Sequence, residues 1–333
     1  MSRGLGDVYK RQILCCVMNK AVLHDHLDGG LRAKTAKELA IKDSYKPLIE
    51  IEDIENFFNR ESSTSLEDYL EAFVHTTALM SNYDNLERIA FEAAEDMHFC
   101  GITLYESRYA PLYSVNDNLI IKDVIHAINS GFKQAENLYG IKSGLILCGM
   151  RNDKENVSQV SEIAIDFKDQ IIGFDIAGPE YNFLPSLFAN EFNKLKINGI
   201  NLTIHAGEGD GVNSIQDALD NGAKRIGHGV RIIEDIDKSS KKLGKTAEYV
   251  RNKQVPLEIC ITSNIHTNMY EEYDKHPIKD LIDLEFNVSI NTDNRLMSNT
   301  NMKKEIDIAK NLGINNVDSI LENSASYSFL NNF

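Results

Sequence analysis

Short apolar runs alternate with longer amphipathic stretches along almost the whole chain. The runs begin near Ala21, Ile102, Leu145, Ile171, Leu202, Lys224, Pro256 and Phe286. Each is too short for a helix and ends at Gly, Asn, Asp or Pro, which predicts a buried strand. Between them, apolar residues return at helical spacing. Ser65, with Asp68 at the capping-box position, opens a helix whose apolar face is Leu66, Tyr69, Leu70, Phe73 and Val74. Leu86, Ile89, Ala90, Ala93 and Met97 form the next stripe, which stops at Gly101. Further helices are predicted over residues 119–138, 157–167, 185–198, 214–219 and 234–252, and Pro277 opens one at its favoured first position. Residues 31–64 are mixed and polar, which predicts an insertion after the first strand, placed to cover a pocket.

Strands that alternate with helices pair in parallel through right-handed crossovers. Eight such units predict an α/β fold, a (β/α)8 TIM barrel with a helical insertion after the first strand. An open doubly wound sheet is the alternative, but no glycine-rich phosphate loop follows the first strand. Residues 18–333 are expected to form one barrel domain. Residues 1–17, MSRGLGDVYKRQILCCV, fit no element and are expected to be a disordered, non-native leader or artefact, with Met18 the natural start.

The polar motifs sit where strands end, and in this barrel class the C-terminal rim carries the chemistry. HDHLDGG, AGPE, HAGE, GHG and NTDN all occupy such positions. His24 and His26 are two apart on a strand and so face the same way. Alone they read equally as a surface pair, just as a lone strand-end His205 reads as structural. Collected on one rim, His24, His26, His205 and Asp293 are candidate metal ligands, and three imidazoles with a carboxylate suit one Zn2+. Zinc lowers the pKa of a bound water from about 15.7 toward about 7. Glu208 is the candidate general acid and base, and His228 the group that orients or deprotonates water. His75, His98, His126 and His266 are expected to be structural.

Five motifs in this order and spacing resemble the adenosine deaminase family, and the resemblance runs over roughly residues 20–330. ESRYAP at 106–111 and LEICITSN at 257–264 are softer matches. The resemblance implies hydrolytic deamination of adenosine or deoxyadenosine on a metal-dependent amidohydrolase-type barrel. It implies that His24, His26, His205 and Asp293 hold zinc, that Glu208 protonates purine N1, and that His228 and Asp293 steer the attack on C6. It implies substrate contacts from Asp28 to the ribose and from the Gly178 N–H to N3, with His26 beside them. Many members have a second aspartate where this chain has Asn294. Purine N7 accepts, and an amide donates at any pH, so Asn294 is expected to keep that contact. The family continues through one more helix where residues 325–333 stop, so the domain is expected to be truncated there. Within the family the alternatives are adenine, AMP or a modified adenosine as substrate. Asp28 favours a nucleoside, and the rim motifs supply little cation for a phosphate. A non-catalytic relative would have lost ligands that are all present here, and a two-metal hydrolase would need a bridging lysine that no strand end supplies.

Composition narrows the partners. The 333-residue chain carries a net charge of −15 with no basic cluster, so nucleic acid and anionic membrane surfaces are excluded as partners. Its longest apolar run, Ile13 to Met18, is too short to span a membrane. Five cysteines without metal or redox spacing predict reduced thiols and a cytoplasmic location. Oligomeric state has no sequence signal.

Overall fold

The computed structural model describes residues 19–237 and 239–332. The expectation for residues 1–17 lies outside them. Eight parallel strands stand in sequence order around a barrel: β1 (Ala21–Val22), β2 (Leu104–Tyr109), β3 (Lys142–Met150), β4 (Gly173–Ala177), β5 (Thr203–Ala206), β6 (Arg225–His228), β7 (Leu257–Ile259) and β8 (Val288–Ile290). They pair as two four-stranded arcs. One seam closes through the parallel bridge of Phe174 with Leu202, the other through Asp25 with Asp293. The second seam matters for function. It ties the end of β1 to the loop after β8 by His26 N–H to Asp293 O at 2.7 Å and Asp293 N–H to His24 O at 3.1 Å.

Helices cover the outside, and the apolar core lies between them and the strands. Tyr105 of β2 packs edge-on against Phe132, and Phe174 of β4 against Phe192. Residues of period two on the strands turn the other way, into the barrel. There Glu106 and Arg108 of β2, Thr203 of β5, Arg225 of β6 and Glu258 of β7 meet one another. The barrel interior below the rim is therefore ionic rather than aliphatic.

Several elements depart from the sequence expectation, each for a local reason. The polar insertion holds three helices, Ala33–Lys42, Lys46–Ile49 and Ile54–Phe58, anchored by buried Leu39, Leu48 and Phe58. The helix opened by Ser65 breaks after Leu70 and resumes over Phe73–Leu79. Ser65 does cap it, accepting from Asp68 N–H at 3.2 Å, while the Asp68 carboxylate turns to Thr64 N–H instead of completing the box. The helix predicted over 234–252 is confined to Lys245–Lys253. Before it comes a small antiparallel hairpin, Ile236–Asp237 with Lys242–Leu243, because Gly244 packs so tightly on the Asp235 carboxylate that no side chain fits. Pro277 caps its helix rather than starting it, and two further helices, Met302–Asn311 and Val317–Ser326, close the barrel wall. Among the described residues, no helix is long and apolar enough to cross a membrane.

Candidate active site

The end of β1, the ends of β5 and β6 and the loop after β8 bring their polar groups together over the barrel mouth. His26 Nε2 lies 3.2 Å from His205 Nε2. Asp293 Oδ1 lies 3.4 Å from both His24 Nε2 and His26 Nε2. His24 Nε2 and Asp293 Oδ1 are buried and have no hydrogen-bond partner. Four donors thus converge within 4.8 Å of one another. Two donors about 2.0–2.1 Å from one ion at a tetrahedral angle stand roughly 3.3–3.4 Å apart, so the spacing suits a metal ion. The unpartnered His24 Nε2 and Asp293 Oδ1 face the same point as the His26 and His205 rings.

Three of the four donors, His24, His205 and Asp293, are aimed from behind. His24 Nδ1 lies 3.0 Å from Glu258 Oε2, and His205 Nδ1 lies 2.8 Å from Asp175 Oδ2. Arg108 holds both carboxylates, Asp175 at 2.6 Å and Glu258 at 2.8 Å. Ser263 Oγ donates to Asp293 Oδ2 at 2.6 Å, leaving Oδ1 free to face the imidazoles. Such carboxylate partners fix which ring nitrogen carries the proton and leave the other as a ligand. Gly227 makes room for this arrangement, since a Cβ there would lie 3.1 Å from the His205 Cα. His228 and Asp293 both take left-handed backbone conformations, φ 57° and 56°, uncommon for residues with a Cβ. That turn swings each side chain over the mouth.

Glu208 and His228 sit beside the cluster, 3.6 Å apart. Burial, reinforced by the Asp293 and Glu180 charges, pushes the Glu208 carboxyl well above its usual range. Burial and then the neighbouring His24 push the His228 imidazole well below its own. The two shifts run in opposite directions, the carboxyl toward keeping its proton and the imidazole toward giving its own up. The loop bearing Glu208 is held by Glu180 of AGPE, which accepts from Gly207 N–H at 2.6 Å and Glu208 N–H at 2.9 Å. Arg151 donates to His205 O at 2.5 Å and Ile176 O at 3.0 Å, pinning β5 to β4. His228 Nδ1 meets the Asn264 amide at 3.1 Å, and Asn264 is held in turn by His276.

A cavity of about 510 Å³ opens above these groups. Asp28, Gly178 and Asn294 line it, together with His26, His205, Glu208, His228 and Asp293, so the structure gathers the sequence candidates on one wall. His24 lies just beneath. Burial raises the Asp28 carboxyl to about 7. The opposite wall is apolar, made by Leu66, Tyr69, Leu70, Phe73 and Val74, the stripe that helical spacing alone assigns to core. Val74 is 60% exposed. His75 bonds the Tyr45 hydroxyl and His98 stacks on Tyr139, while His126 faces outward and His266 is buried away from the cavity lining.

Sequence reading missed Asp175 and assigned no role to Arg108, Glu180, Glu258, Ser263 and Asn264, although ESRYAP, AGPE and LEICITSN contain them. The available signal was a charge in the middle of an apolar strand, as in FDIA and LEIC, where an unpaired ion would be costly.

Comparison with known proteins identifies the family. The family model described as adenosine deaminase matches residues 19–332. The chain belongs to the adenosine deaminase family. It is 43% identical over 301 residues to adenosine deaminase 1 of Streptomyces coelicolor, covering 86% of this chain and 76% of that one. It is 39% identical over 300 residues to the adenosine deaminase of Mycobacterium marinum, covering 86% and 83%. Among solved structures, adenine deaminase from Arthrobacter aurescens shares the fold with a TM-score of 0.84 at 21% identity, over 93% of both chains.

Proposed function

We propose that this member of the family deaminates adenosine and deoxyadenosine hydrolytically, giving inosine or deoxyinosine and ammonia, with one zinc ion held by His24, His26, His205 and Asp293. Zinc held there supplies a Lewis acid that eases the deprotonation of water at neutral pH. The remaining work falls to this chain's side chains. Glu208 gives its proton to purine N1, which makes C6 electrophilic. His228 Nδ1 accepts from the Asn264 amide, so Nε2 carries the ring proton and orients the attacking water. Asp293 fixes the direction of attack and its carboxylate takes the water's proton. That proton passes to the C6 amino group, which leaves as ammonia while the C6 oxygen becomes the carbonyl. The Gly178 N–H donates to N3, the Asn294 amide donates to N7, Asp28 binds the ribose, and His26 borders the substrate. The wall of Leu66, Leu70 and Phe73 keeps bulk water from the reacting face.

The observation that carries this reading is geometric: four ligands converge within 4.8 Å of one another, with Glu208 and His228 3.6 Å apart beside them. A nucleoside is favoured over a nucleotide because, among the described residues, no Lys or Arg lines the cavity to meet a phosphate. Ammonia release from adenosine, deoxyadenosine, adenine and AMP tests the assignment. Adenosine and deoxyadenosine should exceed the other two by at least about tenfold in kcat/KM, a small share of what unpaired polar groups cost a mismatched substrate. Faster release from adenine or AMP would overturn the nucleoside reading.

A further inference from the structure

We propose that Arg225, Glu106 and the turn Tyr327–Leu330 position His24 for metal binding from the opposite end of the barrel. The inference rests on the reading that His24 is a metal ligand. Glu258 joins the two ends. Its Oε2 faces His24 Nδ1 at 3.0 Å and accepts from Arg108 at 2.8 Å. Its Oε1 accepts from Arg225 Nε at 2.6 Å and from Thr203 Oγ1 at 2.9 Å. Arg225 reaches on toward the bottom, pairing with Glu106 at 2.6 Å and donating to Tyr327 O at 2.9 Å. Its guanidinium carbon lies 3.7 Å from the centre of the Phe329 ring. The second Glu106 oxygen accepts from Ser328 Oγ at 2.7 Å and Phe329 N–H at 2.6 Å.

The strands are cut to receive this turn. A Cβ on Gly173 would lie 3.0 Å from the Phe329 ring, and one on Gly144 would lie 2.9 Å from Leu330. Stability alone does not call for these charges. Buried ion pairs seldom outperform apolar side chains of equal volume, and barrels of this class are ordinarily filled with branched aliphatics. What an aliphatic filling cannot do is hold a carboxylate ionised and oriented. Fixed by Arg108, Arg225 and Thr203, Glu258 accepts the Nδ1 proton of His24 and leaves Nε2 bare at the mouth. Without Arg225, Oε1 keeps only Thr203, and the carboxylate is held by Arg108 on one side alone. Two arginines face three carboxylates here, Glu106, Asp175 and Glu258, which leaves a negative excess behind the cation site.

The test is zinc affinity of the full chain, stripped of metal and titrated with Zn2+ against a competing chelator. Arg225→Met and Phe329→Ala should each weaken zinc binding by about tenfold or more, the usual effect of disturbing a ligand's partner. Arg225→Lys should recover part of that loss. Phe192→Ala removes the same ring from the outer layer, where it packs on Phe174. It should lower the melting temperature comparably and leave zinc affinity unchanged. If Arg225→Met and Phe329→Ala both bind zinc within about twofold of the unmodified chain, or Phe192→Ala weakens binding equally, the positioning role is wrong and the metal site stands. Should Arg225→Met fail to fold, Phe329→Ala decides alone. A wild-type chain that takes up no zinc overturns the metal reading and this one with it.

Discussion

Glu208 has to give up a proton at a pH where a free glutamate has none, and its neighbours arrange that. Burial disfavours the carboxylate first, the Asp293 and Glu180 charges add to it, and Arg151 opposes them less strongly. Glu208→Gln keeps the shape and loses the proton. It should retain zinc and lose at least about 10²-fold in kcat, as ammonia release and metal content measured on the same preparation will show. His205→Ala should lose the metal itself. Asn294 poses the converse case. Its amide donates at any pH, whereas an aspartate there would have to be protonated next to Asp293. Asn294→Asp should therefore lower kcat/KM, increasingly so as pH rises; an Asp variant far more active than the native chain would contradict the contact. Rim residues such as these were legible because a polar motif interrupts the pattern where an apolar run stops. Asp175 and Glu258 were not, because each sits inside the run and is absorbed into the strand.

At the level of elements, the strand-helix alternation was readable because each run is bounded by a glycine or another turn residue. Gly101, Gly140, Gly199, Gly222 and Gly313 all lie in the left-handed region that ends a helix. Boundaries shifted where tertiary packing overrode periodicity. The stripe Leu66 to Val74 has helical spacing, and spacing cannot distinguish a face against core from one against a cavity. Here the break after Leu70 tilts it over the mouth. The turn after β1 shows the same limit. In HLDGG, the Asp-Gly-Gly turn reads as one able to approach a ligand, yet what Gly29 approaches is the Asn294 amide, which any side chain there would overlap. Gly29→Ala should displace Asn294 and lower kcat/KM by about 10²-fold, the cost of misplacing a substrate contact by roughly 1 Å. Zinc content measured on the same preparation separates a displaced Asn294 from a disturbed His26, which opens the turn, or Asp293, which precedes Asn294 in the chain. A variant with native kcat/KM would show that Asn294 has no part in binding.

The molecule as a whole carries its pH sensitivity in buried titratable groups, and Glu305 shows the sign of a raised carboxyl. It joins the helix Met302–Asn311 to the loop after β7, accepting from Thr300 Oγ1 at 2.6 Å and Thr262 N–H at 3.3 Å. Burial raises its carboxyl from 4.5 to about 7, against those hydrogen bonds. Between these two values the folded chain keeps a proton that the unfolded chain releases. The contribution to stability is therefore complete below about pH 4.5 and lost as pH rises through about 7, worth about 3 kcal/mol in all. Unfolding of the native chain and of Glu305→Gln, each at pH 5 and pH 8, isolates this contribution. Glu305→Gln stays neutral throughout, so the change in stability from pH 5 to pH 8 should be about 3 kcal/mol more favourable in the variant than in the native chain. The native slope also carries Asp28, raised to about 7 in the same direction, and buried imidazoles such as His276, lowered to about 3, which favour the fold as pH rises. Carboxylates held low, such as Asp175 beside His205 and Arg108, are lost only in stronger acid and do not enter this window. An unchanged slope in Glu305→Gln would mean that Glu305 is already ionised in the fold.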